Sequence, residues 1–364
     1  MEFGRGTWIF NNILVKDLVY TNKVLNIIRK YTCDNQKIRF LNNRAAWEFL
    51  KMHIINVSKQ FSKDKAREER KSINIVRNKL EILESLPKDR ICNEIENKIS
   101  ILKKKDWEYN NNKIKGFQIR SRLPYMDEGE GNISYFSKRE KRKGEENLIF
   151  SLENEDGGIQ EGKGNVEKAV FDFFSELYSD EPEIEFYQDE LLCEVDQFLT
   201  EEEKKGLDEP ITNEEIRSSL NKLKKDKTPG SDGLSKELFC FFWNELGDLF
   251  QKVITEIYTY GELTESQKKG IIKISYKKNG RQYLKNYRPI TLLNTDLKLI
   301  TKTLALRMAK ILNNIIHESK KCVPGRKITE NIHLAQDLID AILQENSEAA
   351  YIFLDQEKAL IYFT

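Results

Sequence analysis

From Ala45 to Leu86 the apolar residues recur at steps of three and four, the period of an α-helix with one apolar face. The stripe is carried by Trp47, Leu50, Ile54, Val57, Phe61, Ile75, Leu80 and Leu83. At about 1.5 Å per residue such a helix is about 60 Å long. The segment PKDR interrupts it, and the period then resumes from Ile91 to Leu102. The pattern predicts a long antiparallel helical hairpin. A coiled-coil dimer is the alternative, but the heptads are irregular and a turn is evident.

Shorter patterns predict the elements that follow. The segment NLIFSLENEDGGI alternates apolar and polar residues around Asp156-Gly157, which indicates a β-hairpin. Capping boxes at Thr200 with Glu203 and at Thr212 with Glu215 mark two helix starts. We also expect a short helix over 16–30 and another in VEKAVFDFFSELYSDEP, from 166 onward.

The segment DKTPGSDG (226–233) is the strongest turn signal in the chain, because Pro-Gly and Asp-Gly pairs both favour tight turns. Ser235 can cap the aromatic-rich helix that follows, and Gly261 can end it. The segment GIIKISYKK predicts a strand. Further helices are predicted over about 296–316 and 328–345, and a last strand over 350–355.

The net charge of +1 conceals an uneven distribution. Residues 1–150 and 216–364 carry more Lys and Arg than Asp and Glu, whereas residues 151–215 are strongly acidic. Basic segments can bind a polyanion such as nucleic acid, although a solvated surface is the more common explanation. The segment SKREKRKGEE (137–146) has the same two explanations, a nuclear localisation signal or solvated charge.

Cysteine and histidine usage argues against a structural zinc site. The five cysteines are far apart without a C-x-x-C pair, and there are three scattered histidines. Free thiols fit a reducing compartment. With no signal-peptide pattern and no long apolar run, we expect an intracellular protein, in the nucleus or cytoplasm, that is neither secreted nor bound to a membrane.

Motifs of nucleotide-binding loops, zinc proteases and serine hydrolases are all missing from the sequence. One carboxylate, Asp355, follows the apolar run Ala349–Leu354. A strand-end carboxylate can bind a divalent metal through oxygen, but spacing alone favours a helix cap or a surface aspartate.

Ordered motifs over residues 220–316 resemble the fingers region of LINE-type, non-LTR retrotransposon reverse transcriptases. That family has K-x-P-G-x-D-G, a long aromatic helix, a strand closing on K-K, and then N-Y-R-P-I-[ST]-L-L-N-x-x-x-K. This chain has TPGSDG (228–233), Lys277-Lys278, NYRPITLLN (286–294) and Lys298. VPGR (323–326), NIHLAQDLID (331–340) and FLDQEKAL (353–360) follow in the family's order.

The resemblance implies an α+β, predominantly helical fold, in which a helical hairpin linker precedes the fingers and first palm strand of a right-hand polymerase. It implies that residues 1–40 are the remnant of an endonuclease end and linker, because GRGTWIFNNILVKD resembles the closing strand region of the apurinic-type endonuclease domain. Residues 41–118 are then the helical hairpin and 119–198 a mixed hairpin and acidic linker. Residues 199–364 are then a truncated reverse transcriptase domain.

The same resemblance implies the chemistry. Asp355 matches the first palm aspartate, which binds catalytic magnesium in two-metal phosphoryl transfer. Lys277, Lys278 and Arg288 resemble the fingers residues that bind the triphosphate of the incoming deoxynucleoside triphosphate, a task that suits the planar fork of Arg. The implied partners are an RNA template and a DNA primer.

Departures from the family motifs bear on activity. Tyr276 replaces the usual Pro, Ser319 and Cys322 replace Gln and Phe, and Leu360 and Ile361 stand where Phe and a second Asp belong. The palm's F/Y-x-D-D pair does not occur in the sequence. We therefore expect a truncated RNA-directed DNA polymerase that is unable to polymerise. The alternatives are a non-catalytic RNA- or DNA-binding fragment that uses basic helical surfaces, and a helical scaffold or unfolded decay product.

Overall fold

The computed structural model describes residues 6–32, 42–87, 92–121, 148–153, 158–179, 198–316 and 325–345, together with isolated positions between them. Within these ranges the chain is predominantly helical, with two small two-stranded sheets. This confirms the coarse fold prediction. The predicted last strand and Asp355 lie outside the described residues, as does the turn at Asp156-Gly157.

The helices are bounded mostly as the sequence patterns predict. They are α1 Leu18–Thr32, α2 Asn43–Glu84, α3 Asn93–Ser121, α4 Lys163–Leu177, α5 Glu201–Asp208, α6 Asn213–Lys222, α7 Lys236–Phe241, α8 Trp243–Tyr260, α9 Thr295–Ile315 and α10 Ile328–Glu345. Short 3₁₀ helices span Asn12–Lys16 and Leu284–Asn286. Within the described ranges, no helix is both long and apolar enough to cross a membrane.

Strands form two two-stranded sheets in the described part of the chain. Strands β1 Ser151–Glu153 and β2 Ile159–Glu161 pair antiparallel, with Leu152 opposite Gln160. Strands β3 Ile271–Tyr276 and β4 Tyr287–Leu292 form the second sheet. Both β1–β2 and β3 occur where the alternating patterns predict them.

Local signals of helix ends are confirmed in detail. Thr200 and Thr212 each accept a hydrogen bond from the backbone of the glutamate three residues on, and both reciprocal capping boxes are complete. Gly261 ends α8 in the left-handed conformation, at φ 69°. The aromatic helix differs from expectation, because it is divided at Phe242, whose backbone leaves helical geometry (φ −100°, ψ 16°). Neither Pro nor Gly marks that break in the sequence.

The chain divides into two compact units. The first contains the described parts of Met1–Ile55, Val170–Ser275 and Arg288–Thr364, and the second those of Asn56–Ala169 and Tyr276–Tyr287. In the first unit α1 packs against α8, and α6 packs against α8 and α9. Its core is aromatic at the centre: the Trp47 ring lies 4.8 Å from Phe250 and 6.1 Å from Phe239, measured between centroids.

The second unit contains α3 and the part of α2 from Asn56 onward, which form an antiparallel helical hairpin. Arg77 of α2 pairs with Asp106 of α3 at 2.7 Å, and Glu84 pairs with Lys103 at 2.8 Å. The later residue on α2 thus pairs with the earlier residue on α3, which shows that the two helices run antiparallel. Most side chains along both helices are exposed, so the hairpin is held by a narrow contact rather than a broad core.

Candidate functional site

The TPGSDG turn spans Thr228–Gly233 and is closed by its own backbone. Gly233 donates its N–H to the Gly230 carbonyl at 3.2 Å and has φ 72°, a conformation that glycine adopts without strain. The Asp232 Oδ1 atom accepts a hydrogen bond from the Leu234 N–H at 2.9 Å. Asp232 thus caps the backbone of its own turn.

Asn294 joins this turn to the NYRPITLLN segment. Its buried Oδ1 atom accepts hydrogen bonds from the Ser231 hydroxyl and the Asp232 N–H, both at 3.2 Å. Its Nδ2 group donates to the Ser266 carbonyl at 2.8 Å. Asn294 is the N-cap residue of α9 but makes no side-chain cap, because its amide is engaged by the turn. One side chain thus ties together three segments that are far apart in sequence.

The start of α9 makes further contacts with the same turn. Thr295 donates its hydroxyl to the Leu234 carbonyl at 2.6 Å, and Lys298 donates to the Thr228 carbonyl at 3.2 Å. A Cβ atom added at Gly230 would overlap the backbone and side chain of Asn294. The two motif segments therefore approach so closely that only glycine fits at this position.

The N-terminal segment also packs on the turn, which sequence patterns did not reveal. Phe10 donates its N–H to the Gly233 carbonyl at 2.9 Å, and Ser235 donates its hydroxyl to Asn12 at 2.7 Å. A Cβ atom at Gly233 would overlap the Trp8 carbonyl. Residues 6–32 are thus part of the first unit's core; their descent from an endonuclease stays a prediction.

A buried ion pair lies directly behind the turn. Asp296, in the first turn of α9, is fully buried and accepts hydrogen bonds from Lys51 at 2.8 Å and Trp47 at 3.0 Å. Gln267 and the Leu297 N–H also donate to it. Burial alone would raise the pKa of Asp296, but the Lys51 charge and these donors outweigh burial and hold the pKa below its ordinary value.

Asp232 lies close to this ion pair, but its own carboxyl group is less well satisfied by hydrogen bonds than that of Asp296. Within the described part of the chain, its buried Oδ2 atom has no hydrogen-bond partner. Burial, reinforced by the nearby charge of Asp296, raises the pKa of Asp232 from 3.8 to about 6. The turn is therefore built around a carboxyl group whose charged form is disfavoured.

The ion pair of Arg307 with Glu215 forms a clamp that fixes α9 to α6. Arg307 binds Glu215 through two nitrogens, at 2.6 and 2.8 Å, and donates to the carbonyls of Leu207, Glu209 and Pro210. The hydrogen bonds from Arg307 lower the pKa of Glu215 from 4.5 to about 2. Glu215 is also the last residue of the α6 capping box, so one carboxylate serves both the helix end and the clamp.

The residues predicted to bind triphosphate are exposed. Lys277 and Lys278 follow β3, and Arg288 is the second residue of β4. Lys277 donates its N–H to the Asn286 carbonyl at 2.9 Å, which leaves its side chain unconstrained by that contact. Asp355 lies outside the described residues, so the structure does not bring it together with these cations. Their shared role stays a prediction.

The described residues do not form a magnesium site. Across these ranges, no group of three or more His, Cys, Asp or Glu side chains could hold a metal ion. The coupled carboxylates are Asp232 and Asp296, but both oxygens of Asp296 are already engaged by protein donors. Asp232 leaves one oxygen unpaired, but that oxygen is buried and the charged form of its carboxyl group is disfavoured, so this pair does not supply the anionic oxygens that magnesium needs.

Comparison with known proteins gives one informative similarity, while no family model matches the chain. The chain is 30% identical over 358 residues to the Transposon TX1 uncharacterized 149 kDa protein of Xenopus laevis. The alignment covers 97% of the chain and 27% of that protein, so the chain spans about a quarter of this relative. By sequence, the chain is therefore related to a transposon protein.

Proposed function

We propose that the chain is a fragment of a non-LTR retrotransposon polyprotein, in which residues 199–364 are the fingers and the start of the palm of a reverse transcriptase, an RNA-directed DNA polymerase. Its substrates would be an RNA template, a DNA primer and deoxynucleoside triphosphates. The ordered motif set supports this assignment, and the similarity to a transposon protein over nearly the whole chain agrees with it.

The observation that carries the proposal is the junction at Asn294. TPGSDG and NYRPITLLN are the two most distinctive motifs of the resemblance, and they meet through the Asn294 side chain and the close approach at Gly230. Residues that match a family motif by chance have no reason to contact one another. Their contact supports a common origin in one structural element.

In this proposal Lys277, Lys278 and Arg288 bind triphosphate oxygens. Arg288 offers a planar fork of donors and the lysines offer point charges. All three side chains are exposed and can therefore reach a ligand in solution. Asp355 is the residue proposed to bind magnesium, which in this chemistry neutralises phosphate charge.

The chain by itself is expected not to extend a primer, because the sequence contains no F/Y-x-D-D pair to accompany Asp355. The test is a primer-extension assay on an RNA template with magnesium, using the chain and its Asp355→Ala variant. We expect no template-directed product from either protein. Extension by the parent chain that disappears in Asp355→Ala would show that a complete catalytic site exists.

A second candidate function is nucleic-acid binding without catalysis, through exposed cations of the helical hairpin. Lys103, Lys104 and Lys105 of α3 are exposed, as are several cations of α2. Such binding weakens steeply as salt rises, because phosphate contacts release counterions. If this surface carries the function, the Lys103→Ala/Lys104→Ala/Lys105→Ala variant loses most affinity for duplex DNA and for RNA. Unchanged affinity would remove this candidate.

A further inference from the structure

The loop joining β3 to β4 has an unusual composition for a connection of its length. The Tyr276–Tyr287 loop reads YKKNGRQYLKNY and contains no acidic residue. Its cations are Lys277, Lys278, Arg281 and Lys285, and its aromatic residues are Tyr276, Tyr283 and Tyr287. Basic and aromatic side chains interleaved in this way provide both charges for phosphates and flat surfaces for bases.

Hydrogen bonds from side chains to backbone carbonyls brace this loop. Asn286 donates through its amide to the Gly280 carbonyl at 2.7 Å, and Tyr287 donates its hydroxyl to the Arg281 carbonyl at 2.7 Å. The Tyr276 hydroxyl donates to the Asn279 carbonyl, and Asn279 has φ 72°. A loop ordered before binding loses less conformational entropy when a ligand arrives.

Arg281 and Tyr276 form a stacked pair on this ordered frame. The Arg281 guanidinium carbon lies 4.9 Å from the Tyr276 ring centroid, which is cation–π geometry. Tyr287 supports the same ring edge-on, at 5.7 Å between centroids and 63° between planes. The Arg281 side chain is exposed, and Tyr276 is 38% exposed. Guanidinium planes and aromatic rings are the surfaces on which unpaired bases stack.

We propose that the Tyr276–Tyr287 loop binds a single-stranded polynucleotide, with a base stacked on the Arg281–Tyr276 pair and the neighbouring phosphates contacted by Lys277, Lys278 and Lys285. A purely electrostatic surface would bind duplex equally well, whereas stacking requires bases that are not paired. Tyr276 stands where the resembling polymerases have Pro, so the stacked pair is a feature of this chain. Lys277 and Lys278 are also the residues assigned to triphosphate, so their part in this proposal rests on the proposed function, whereas the Arg281–Tyr276 pair is independent of it.

The test is a fluorescence anisotropy titration of the full chain with labelled oligo(dT) or oligo(U) of about 12 nucleotides, and with a duplex of equal charge. We expect tighter binding of both single strands than of the duplex. Arg281→Lys keeps the positive charge but removes the planar guanidinium group, and should weaken single-strand binding about fivefold or more. Tyr276→Leu should do the same, while Tyr276→Phe, which keeps the ring, should stay within about twofold.

Controls separate stacking from charge and from misfolding. Lys252→Ala removes an exposed cation of α8 and should leave binding unchanged. Arg281→Ala should lower the salt slope by about one, whereas Arg281→Lys should not. Circular dichroism and thermal melting identify any variant that fails to fold. Equal affinity for duplex and single strand, or parent-like binding by both Arg281→Lys and Tyr276→Leu, would overturn the proposal. Arg281→Lys and Tyr276→Leu leave Lys277, Lys278 and Arg288 unchanged, so failure of this proposal can be distinguished from failure of triphosphate binding.

Discussion

At the scale of single residues, the Thr228–Gly233 turn depends on atoms that only one residue type can supply. Gly230 leaves room for Asn294, and Asp232 supplies the acceptor that closes the turn. The sequence identified this turn, because Pro-Gly and Asp-Gly pairs favour tight turns through local chemistry. It did not reveal that Asn294 is the partner, because no local pattern links residues so far apart.

Replacing Gly230 by Ala should destabilise the first unit by about 3 kcal/mol, because the added methyl group overlaps backbone that cannot move freely. The matched control is Gly206→Ala on α5, where nothing lies within 4 Å of the added carbon. The control should be neutral or stabilising by up to about 1 kcal/mol, since Ala is a better helix former. Urea unfolding measures both. Equal stability of the two variants would mean that the turn does not require glycine.

Replacing Asp232 by Asn should stabilise the chain at pH 7 by about 2 kcal/mol. The pKa of Asp232 is raised from 3.8 to about 6, so the folded state binds its proton more tightly than the unfolded state does. The parent chain therefore loses stability as pH rises from about 4 to about 6, and the variant should lack that loss.

The measurement is the urea midpoint of the parent and of Asp232→Asn at several pH values across this range, and the difference between the two proteins is compared. Asp337→Asn, on exposed α10, serves as the control and should follow the parent. A parallel pH dependence in parent and Asp232→Asn would show that the buried carboxyl group is not the titrating one.

At the scale of elements, the ends of helices were predictable and their packing partners were not. Both capping boxes and the Gly261 end depend on residues within four positions of each other. The Lys51–Asp296 pair instead joins α2 to α9 across most of the chain. A residue such as Lys51 looks like ordinary helix surface in the sequence, and only folding shows that it is buried.

Removing one partner of the Lys51–Asp296 pair should cost about 3–5 kcal/mol, because the other charge stays buried without compensation. The double variant Lys51→Met/Asp296→Asn should cost less than the sum of the single variants by about 2 kcal/mol or more. The exposed pair of Lys204 and Glu201 is the control cycle, with a coupling below about 1 kcal/mol. Additive losses at Lys51 and Asp296 would contradict a coupled buried pair.

Because of the clamp between α9 and α6, the free energy of unfolding should fall as pH falls into the acid range. Arg307 lowers the pKa of Glu215 from 4.5 to about 2, so the stabilisation is complete above about pH 4.5 and is lost as pH falls toward 2. Glu215 is partly exposed, at 31% of its side chain, so we expect a loss of about 2 kcal/mol rather than the full linkage value. Glu215→Gln should be less stable than the parent at pH 6 and should lose less on acidification. Identical acid profiles would exclude this clamp.

At the scale of the whole molecule, the predominantly helical fold followed from sequence period. Sequence patterns also predicted β1, β2 and β3, but no pattern predicted the strand β4, which completes the second sheet. The segment 6–32 was harder, because its short apolar pieces carry no period that predicts packing on α8. The site was predictable only in part. Motif order identified Lys277, Lys278, Arg288 and Asp355, but Asp355 lies outside the described residues and the joint action of the four remains a proposal.

The central claim is that the chain carries the triphosphate-binding fingers of a polymerase. It is tested most directly by titrating the full chain with a deoxynucleoside triphosphate at fixed ionic strength, followed by NMR or calorimetry. The Lys277→Ala/Lys278→Ala/Arg288→Ala variant should bind at least about tenfold more weakly than the parent. The Lys103→Ala/Lys104→Ala/Lys105→Ala variant loses the same charge from α3 and should bind within about twofold of the parent. Equal weakening in both variants, or no weakening in the first, would contradict the account.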